Sequence, residues 1–343
     1  MARRENAAEF AASAQRAARI VALELVTALG AAHARFAAGE PGALHDVRVA
    51  VRRLRSWMRA YHPVLDDTVS AKSRRGMRRL ADATSQAREA EVSLEMLGEL
   101  PAAPPRARTG RADLQRRLTR EAERSGRDTD KALGGAIPRL TERLTRELSH
   151  VRIDVPLDGE LRVEPMDELT ADIVARHGER LARALEAFDD RSDEAGPDTV
   201  DQDEVHRVRI AAKRLRYIVE RLTAQSPRAA ALVERLTALQ DTLGDYRDVQ
   251  LLGKRALAEI GRSARNDARA RTRALLAKAD GTSAEQEATR SRVRPGLLDV
   301  ARGADARARA AWQKFETDWP RGERAEELRA EVSAVVDELA HER

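Results

Sequence analysis

The chain has 343 residues, with 62 Lys+Arg against 57 Asp+Glu, a net charge of +5, 3% aromatic residues and no cysteine. The absence of cysteine excludes disulfides, thiolate metal sites and cysteine nucleophiles, and so small a charge excess does not by itself announce a polyanion partner. Ala, Leu, Arg and Glu dominate, which is helix-forming composition.

Met1 to Ala12 carries Arg3 and Arg4 with no apolar run behind them, so a secretory signal is not expected. No stretch of the chain reads as a long uncharged apolar span, so no membrane segment and a cytoplasmic location are expected. A helical pattern runs from about Glu5 to Ala38 and stops at Gly39-Glu40-Pro41-Gly42. A second helix is expected from Ala43 to His62, ending before Pro63, and a third from Asp66 to Leu100. After Pro101-Ala102-Ala103-Pro104-Pro105 a very polar helical stretch reaches His150, with interruptions expected at Gly134-Gly135 and Pro138. Val151 to Pro165 reads as a linker with room for a short extended segment. Helices follow from Met166 to Phe188, Glu204 to Ala224 and Pro227 to Ile260. The acidic loop Asp189 to Asp203 lies between the first two, with Asp203 as an expected N-cap. An Ala/Arg tract from Arg262 to Glu287 is expected to break near Asp280-Gly281-Thr282-Ser283, and further helix runs to Trp319 and from Glu323 to His341.

Two of these helices repeat one another. His45-Asp46-Val47-Arg48-Val49-Ala50-Val51-Arg52-Arg53-Leu54-Arg55 recurs 161 residues later as His206-Arg207-Val208-Arg209-Ile210-Ala211-Ala212-Lys213-Arg214-Leu215-Arg216. Each copy has a histidine followed by basic residues at +3, +7, +8 and +10. On a helix turning about 100° per residue, the +3, +7 and +10 positions share the histidine's side, while +2, +6 and +9 are apolar and face away. One such helix in an arginine-rich chain reads as a solvated, salt-bridged face. Two matched copies read as a surface for something with many negative charges. Arg53 and Arg214 sit round from the others and either flank that surface or pair with acidic neighbours. Arg59 has Glu220 as its counterpart and reads as peripheral. Lys72, Arg75 and Arg79 make a stripe without a second copy, and His33, His62, His150, His177 and His341 stand outside any motif.

The long offset predicts an all-α protein of duplicated helical-bundle halves, residues 1–155 and 156–343, with pseudo-twofold symmetry and a basic central surface. The two signature stretches resemble those of the CHAD family, the conserved histidine α-helical domain. Leu239-Gln240-Asp241-Thr242-Leu243-Gly244-Asp245-Tyr246-Arg247-Asp248 is similar to the block that follows the second signature in that family. Here Ser85 and Arg88-Glu89 stand where the family has Gly and Arg-Asp. With no Glu-x-Glu-x-Lys signature, the chain resembles a stand-alone member.

The resemblance implies a non-catalytic binder of inorganic polyphosphate, associated with polyphosphate granules and their proteins, using no cofactor and no metal. The binding residues it implies are His45, Arg48, Arg52, Arg53, Arg55, His206, Arg209, Lys213, Arg214 and Arg216. Polyphosphate offers no base edges, only phosphate oxygens, which suit the planar fork of arginine and the point charge of lysine. His45 and His206 lie near expected helix starts, where free backbone N–H groups also favour anions. A nucleic-acid binder is the alternative, disfavoured by the scarcity of aromatic stacking residues. A phosphate-polymer hydrolase is further off, because no paired carboxylates or phosphate-cradling glycine loop are found.

Overall fold

The computed structural model describes residues 13–150, 165–192, 202–276 and 292–341, all of whose regular elements are helices. They are α1 (Ala14–Ala37), α2 (Ala43–Ala60), α3 (His62–Leu65), α4 (Ala71–Glu99), α5 (Arg108–Gly134), α6 (Ala136–Ser149), α7 (Met166–Ser192), α8 (Gln202–Val219), α9 (Pro227–Leu276), α10 (Arg294–Asp318) and α11 (Arg324–His341). A 3-10 turn, Pro105–Ala107, precedes α5. Among the described residues the extended pairing is a single bridge, Ser13 with Pro165. The expected extended segment in 151–164, the acidic loop at 193–201 and the break at 280–283 lie outside the described residues.

The helix boundaries differ from expectation where local chemistry competes. α2 stops at Ala60 and the chain turns at Tyr61, after which Pro63 sits inside the short α3, where its fixed φ suits a first turn. Gly135 separates α5 from α6, while Pro138 is tolerated in the first turn of α6. α9 is 50 residues long and runs on into the Ala/Arg tract as far as Leu276, since Ala and Arg both favour helix. α8 begins at Gln202, so Asp203 lies in its first turn instead of capping it. The turn before α2 needs positive φ at Gly39 (75°) and Gly42 (79°), a conformation that disfavours any side chain.

The chain groups into two compact units. The first comprises Met1–Ser85, Asp128–Asp241 and Asp318–Arg343; the second comprises Gln86–Arg127 and Thr242–Thr317. These units do not follow the sequence halves, since each takes segments from both. Both signature helices fall in the first unit.

In the first unit α1 packs on α2 and α6, α7 packs on α8 and α11, and α2 meets α8. Its core includes Leu29, Leu54, Trp57, Leu181, Leu185, Val208, Leu215, Leu222 and Leu328. Each fully buried Leu or Val contributes about 1.5–3 kcal/mol of hydrophobic stabilisation. Several buried polar groups are paired. Trp57 Nε1 donates to Ala18 O at 2.9 Å, and the Arg19 guanidinium donates to Leu148 O at the end of α6, capping it. α1 is long and apolar enough to cross a membrane by length and composition alone. It nevertheless carries Arg19, Glu24 and Arg35, which engage Leu148 O, Arg221 and Asp46, as a core helix does.

The second unit has its own core of Met96, Leu97, Leu114, Leu118, Leu243, Tyr246, Leu252, Leu297 and Val300. Trp312 lies between Tyr246 and Phe315, at 5.2 and 5.6 Å between ring centroids. α5 and α10 approach closely at Gly110 and Gly296, where a Cβ on either would fall within 2.1 Å of a backbone oxygen.

Candidate anion-binding site

The signature helices are amphipathic as their spacing requires. α2 buries Val47, Val51, Leu54 and Trp57, and α8 buries Val208, Ala212, Leu215 and Ile218. Their packing brings the basic sides within reach of each other. Arg52 Nη1 donates to the Tyr217 hydroxyl at 3.4 Å, across the junction of the two helices.

The ten expected residues do not play equal parts. His45, Arg52, Arg53 and His206 are exposed, and Arg55, Arg209, Lys213, Arg214 and Arg216 are half-buried. Arg48 is only 8% exposed, and its Nε donates to Thr84 O of α4 at 3.1 Å. It is tied into the fold as well as charged. Arg53 pairs with Glu220 Oε2 at 3.6 Å, and Arg216 pairs with Glu220 Oε1 at 3.2 Å, so one carboxylate neutralises part of both stripes. Backbone N–H groups near the histidines are less available than expected. The His45 N–H is bonded to Gly42 O at 2.9 Å, and His206 lies beyond the first turn of α8. Arg88, at the departure from the family pattern, is held by Glu95.

A cluster of like charges forms where the helices meet. Burial lowers the pKa of Arg55, Arg59 and Arg214, and neighbouring guanidinium groups lower each further. Arg59 and Arg78 act on Arg55, which Asp82 partly offsets; Arg214 and Arg78 act on Arg59; Arg180 and Arg55 act on Arg214. Among the described residues, Arg59 and Arg214 make no ion pair, and Arg214 Nε is buried without a hydrogen-bond partner. On the α7 side lies His177, 7% exposed, whose pKa is pushed down to about 4 by burial and then by Arg180, Arg214, Arg176 and Arg59.

Sequence reasoning singled out Arg55 and Arg214 for this cluster but not Arg59, Arg78, Arg176, Arg180 or His177. Arg59 reads as peripheral from its unmatched counterpart, yet the Arg214 charge acts on it. The only available signal was that Arg59 lies at i+4 from Arg55, on the same side of α2. Arg78 lies beside the expected Lys72, Arg75 and Arg79 stripe, and nothing in the repeat marks α7.

Crowded guanidinium groups repel one another, and an anion relieves that repulsion. The described residues therefore define an all-helical protein in which two basic helices meet at a group of crowded guanidinium charges. A family model described as the CHAD domain matches residues 20–257, and the chain belongs to the CHAD family. Its fold is similar to the crystal structure of the CHAD domain from the plant Ricinus communis, with a TM-score of 0.57 and 18% identity over 95% of this chain and 93% of that one. It is also similar to PptA from Streptomyces chartreusis, with a TM-score of 0.55 and 17% identity over 89% of this chain and all of that one (100%). No match was found among curated proteins.

Proposed function

We propose that this chain binds inorganic polyphosphate, without catalysis, along the paired basic sides of α2 and α8, and that it associates with polyphosphate granules in the cytoplasm. The binding residues are His45, Arg52, Arg55, His206, Arg209, Lys213, Arg214 and Arg216, with Arg48 and Arg53 helping to hold the helices in place. The observation that carries this reading is the guanidinium cluster around Arg59 and Arg214, which lacks ion pairs among the described residues. Such a cluster is costly to fold unless an anion occupies it. The family resemblance supports polyphosphate as that anion. We further propose that residues 1–155 and 156–343 arose by duplication and relate by a pseudo-twofold, an idea supported by the ungapped repeat of the signature.

The test is retention of the full chain on immobilised long-chain polyphosphate over a salt series. Binding should weaken steeply with salt as counterions are released. Arg52→Glu combined with Lys213→Glu should abolish retention at moderate salt, and short duplex DNA should compete poorly. Wild-type retention by the double variant, or equal displacement by DNA, would overturn the reading. Orthophosphate release from polyphosphate in the presence of magnesium would overturn its non-catalytic part.

A further inference from the structure

We propose that the exposed arginine stripe of α9, formed by Arg265, Arg269 and Arg273, is a second polyanion surface, and that it docks in the major groove of duplex DNA by gripping the phosphates. This inference is independent of the polyphosphate reading, because it uses no residue of α2 or α8 and lies wholly in the second unit. That unit carries 25 Lys+Arg against 17 Asp+Glu, a net charge of +8, whereas the first unit carries 37 against 40. The positive excess of the chain thus resides in the unit that lacks the signature helices.

Of the twelve residues from Arg262 to Arg273, nine are exposed, and only Ser263, Asp267 and Arg271 are part-covered. At about 100° per residue those three make one narrow seam along α9, and Asp267 fixes it by pairing with Arg294 at the start of α10. Arg265, Arg269 and Arg273 lie on the opposite side, within an arc of about 80° and over a rise of about 12 Å. Among the described residues none of the three makes an ion pair or a hydrogen bond. Arg262, one turn earlier, is already held by Glu259 at 2.9 Å. Asp267 is the one carboxylate from 262 to 273, and it sits in the seam.

Shape and chemistry choose the partner. A helix standing clear except along one seam is convex, and its diameter with side chains, about 10–12 Å, matches a major groove about 12 Å wide. Ala264, Ala268 and Ala270 keep it slim between the arginines. Such a face cannot surround a thin polyphosphate chain. The large exposed apolar side chains are Ile20, Leu257 and Leu298, none of them on this stretch, so no anchor for lipid accompanies the arginines. Bases in a duplex stay stacked, so docking there needs no aromatic residue.

Fluorescence anisotropy of a labelled mixed-sequence DNA duplex, titrated with the full chain over a salt series, tests this. Wild type should bind in the non-specific range, about 10⁻⁴–10⁻⁶ M at physiological salt, with a log–log salt slope of about −3 or steeper. Arg265→Gln, Arg269→Gln and Arg273→Gln combined, at exposed positions and with similar helix propensity, should weaken binding at least about tenfold at low salt and flatten the slope by nearly ~3. The corresponding triple Lys variant keeps the charges and should keep the slope, which separates lost charge from lost structure. Duplex RNA of the same sequence should bind more weakly than DNA, because its deep, narrow major groove does not admit a helix. The triple Gln variant should be retained on polyphosphate like wild type. No DNA binding by wild type, an unchanged slope in the triple Gln variant, or RNA binding equal to DNA would overturn the proposal and leave the polyphosphate reading standing. Loss of polyphosphate retention together with DNA binding in the Gln variant would make the stripe a general polyanion surface and overturn the duplex assignment. DNA binding by a wild type that does not hold polyphosphate would remove the earlier reading and uphold this one.

Discussion

Arg52 of α2 donates a hydrogen bond to the Tyr217 hydroxyl of α8 at 3.4 Å, joining the two copies of a repeat that lie 161 residues apart in the chain. Tyr217 is otherwise buried, so its hydroxyl is the polar end of an apolar seam. The contact puts the first copy's +7 position beside the end of the second copy. From that point outward the basic residues separate into those that hold the helices and those that crowd together.

Arg48 belongs to the first kind. Truncation to Ala should destabilise the protein by about 2 kcal/mol, through lost packing and the lost hydrogen bond to Thr84 O. Arg48→Glu should cost more, because it places a carboxylate where a buried cation stood. Arg52→Ala, at an exposed position, should stay within about 0.5 kcal/mol of wild type. Urea denaturation midpoints check this, and equal stability for the two alanine variants would show that Arg48 is not structural.

Arg324 is fully buried, with its guanidinium bonded to Asp189 and to Trp319 O and lying over the Phe188 ring. Asp189→Ala should cost about 3–5 kcal/mol, since it strands a buried charge. Asp189→Leu combined with Arg324→Met should recover most of the loss, because an apolar pair needs no desolvation. Thermal unfolding of the three proteins decides it, and a double variant worse than the single one would contradict the argument.

His177 makes stability depend on pH in a defined window. Its folded pKa is lowered to about 4, so the unfolded chain binds a proton that the folded chain refuses. The stability from keeping it neutral is intact above the ordinary value of about 6.5 and is lost as pH falls toward 4. At about 1.4 kcal/mol per unit the loss has a ceiling of about 3 kcal/mol. Glu179, held down to about 2 by Arg329 and Arg183, acts only in the more acidic range below ordinary carboxylate values. Unfolding free energy against pH should therefore be flatter for His177→Gln between about pH 6.5 and 4, and a wild-type slope in the variant would refute it.

Gly110 tests the second unit alone. A Cβ there would lie 2.0 Å from Val293 O and 2.8 Å from Gly296 Cα, backbone atoms that cannot step aside. Gly110→Ala should cost about 3 kcal/mol. Gly126→Ala, with nothing within 4 Å of its Cβ, should stabilise the same helix by about 0.5–1 kcal/mol. Melting temperatures that move in the same direction for both would rule out the close approach.

Much of the fold was legible because helix formation is local. Ala-, Leu- and Arg-rich runs, broken by Gly-Glu-Pro-Gly and by paired prolines, place most of the helices within a few residues of their observed bounds. Boundaries failed where two local tendencies competed, as at Pro63, which ends α2 but enters α3, and in the Ala/Arg tract that continues α9. The candidate site was legible only in part. Matched arginines marked α2 and α8, and the apolar positions correctly named their buried sides. The same spacing placed Arg48 on the open side, whereas α4 covers it.

From the residues alone came the helical class, the twin basic helices and the expectation of a polyanionic ligand, while the family came from a resemblance of the signature stretches. Helical spacing and charge carry the first three, and both are properties of contiguous segments. Tertiary packing alone decided that Arg53 reaches Glu220, the i,i+4 partner of Arg216, that the Arg214 charge acts on Arg59, and that the buried His177 feels cations from α2, α7 and α8. A helical wheel gives the angle of a side chain about its own axis. Burial and electrostatic environment are set by the helix that arrives opposite, from a segment elsewhere in the chain.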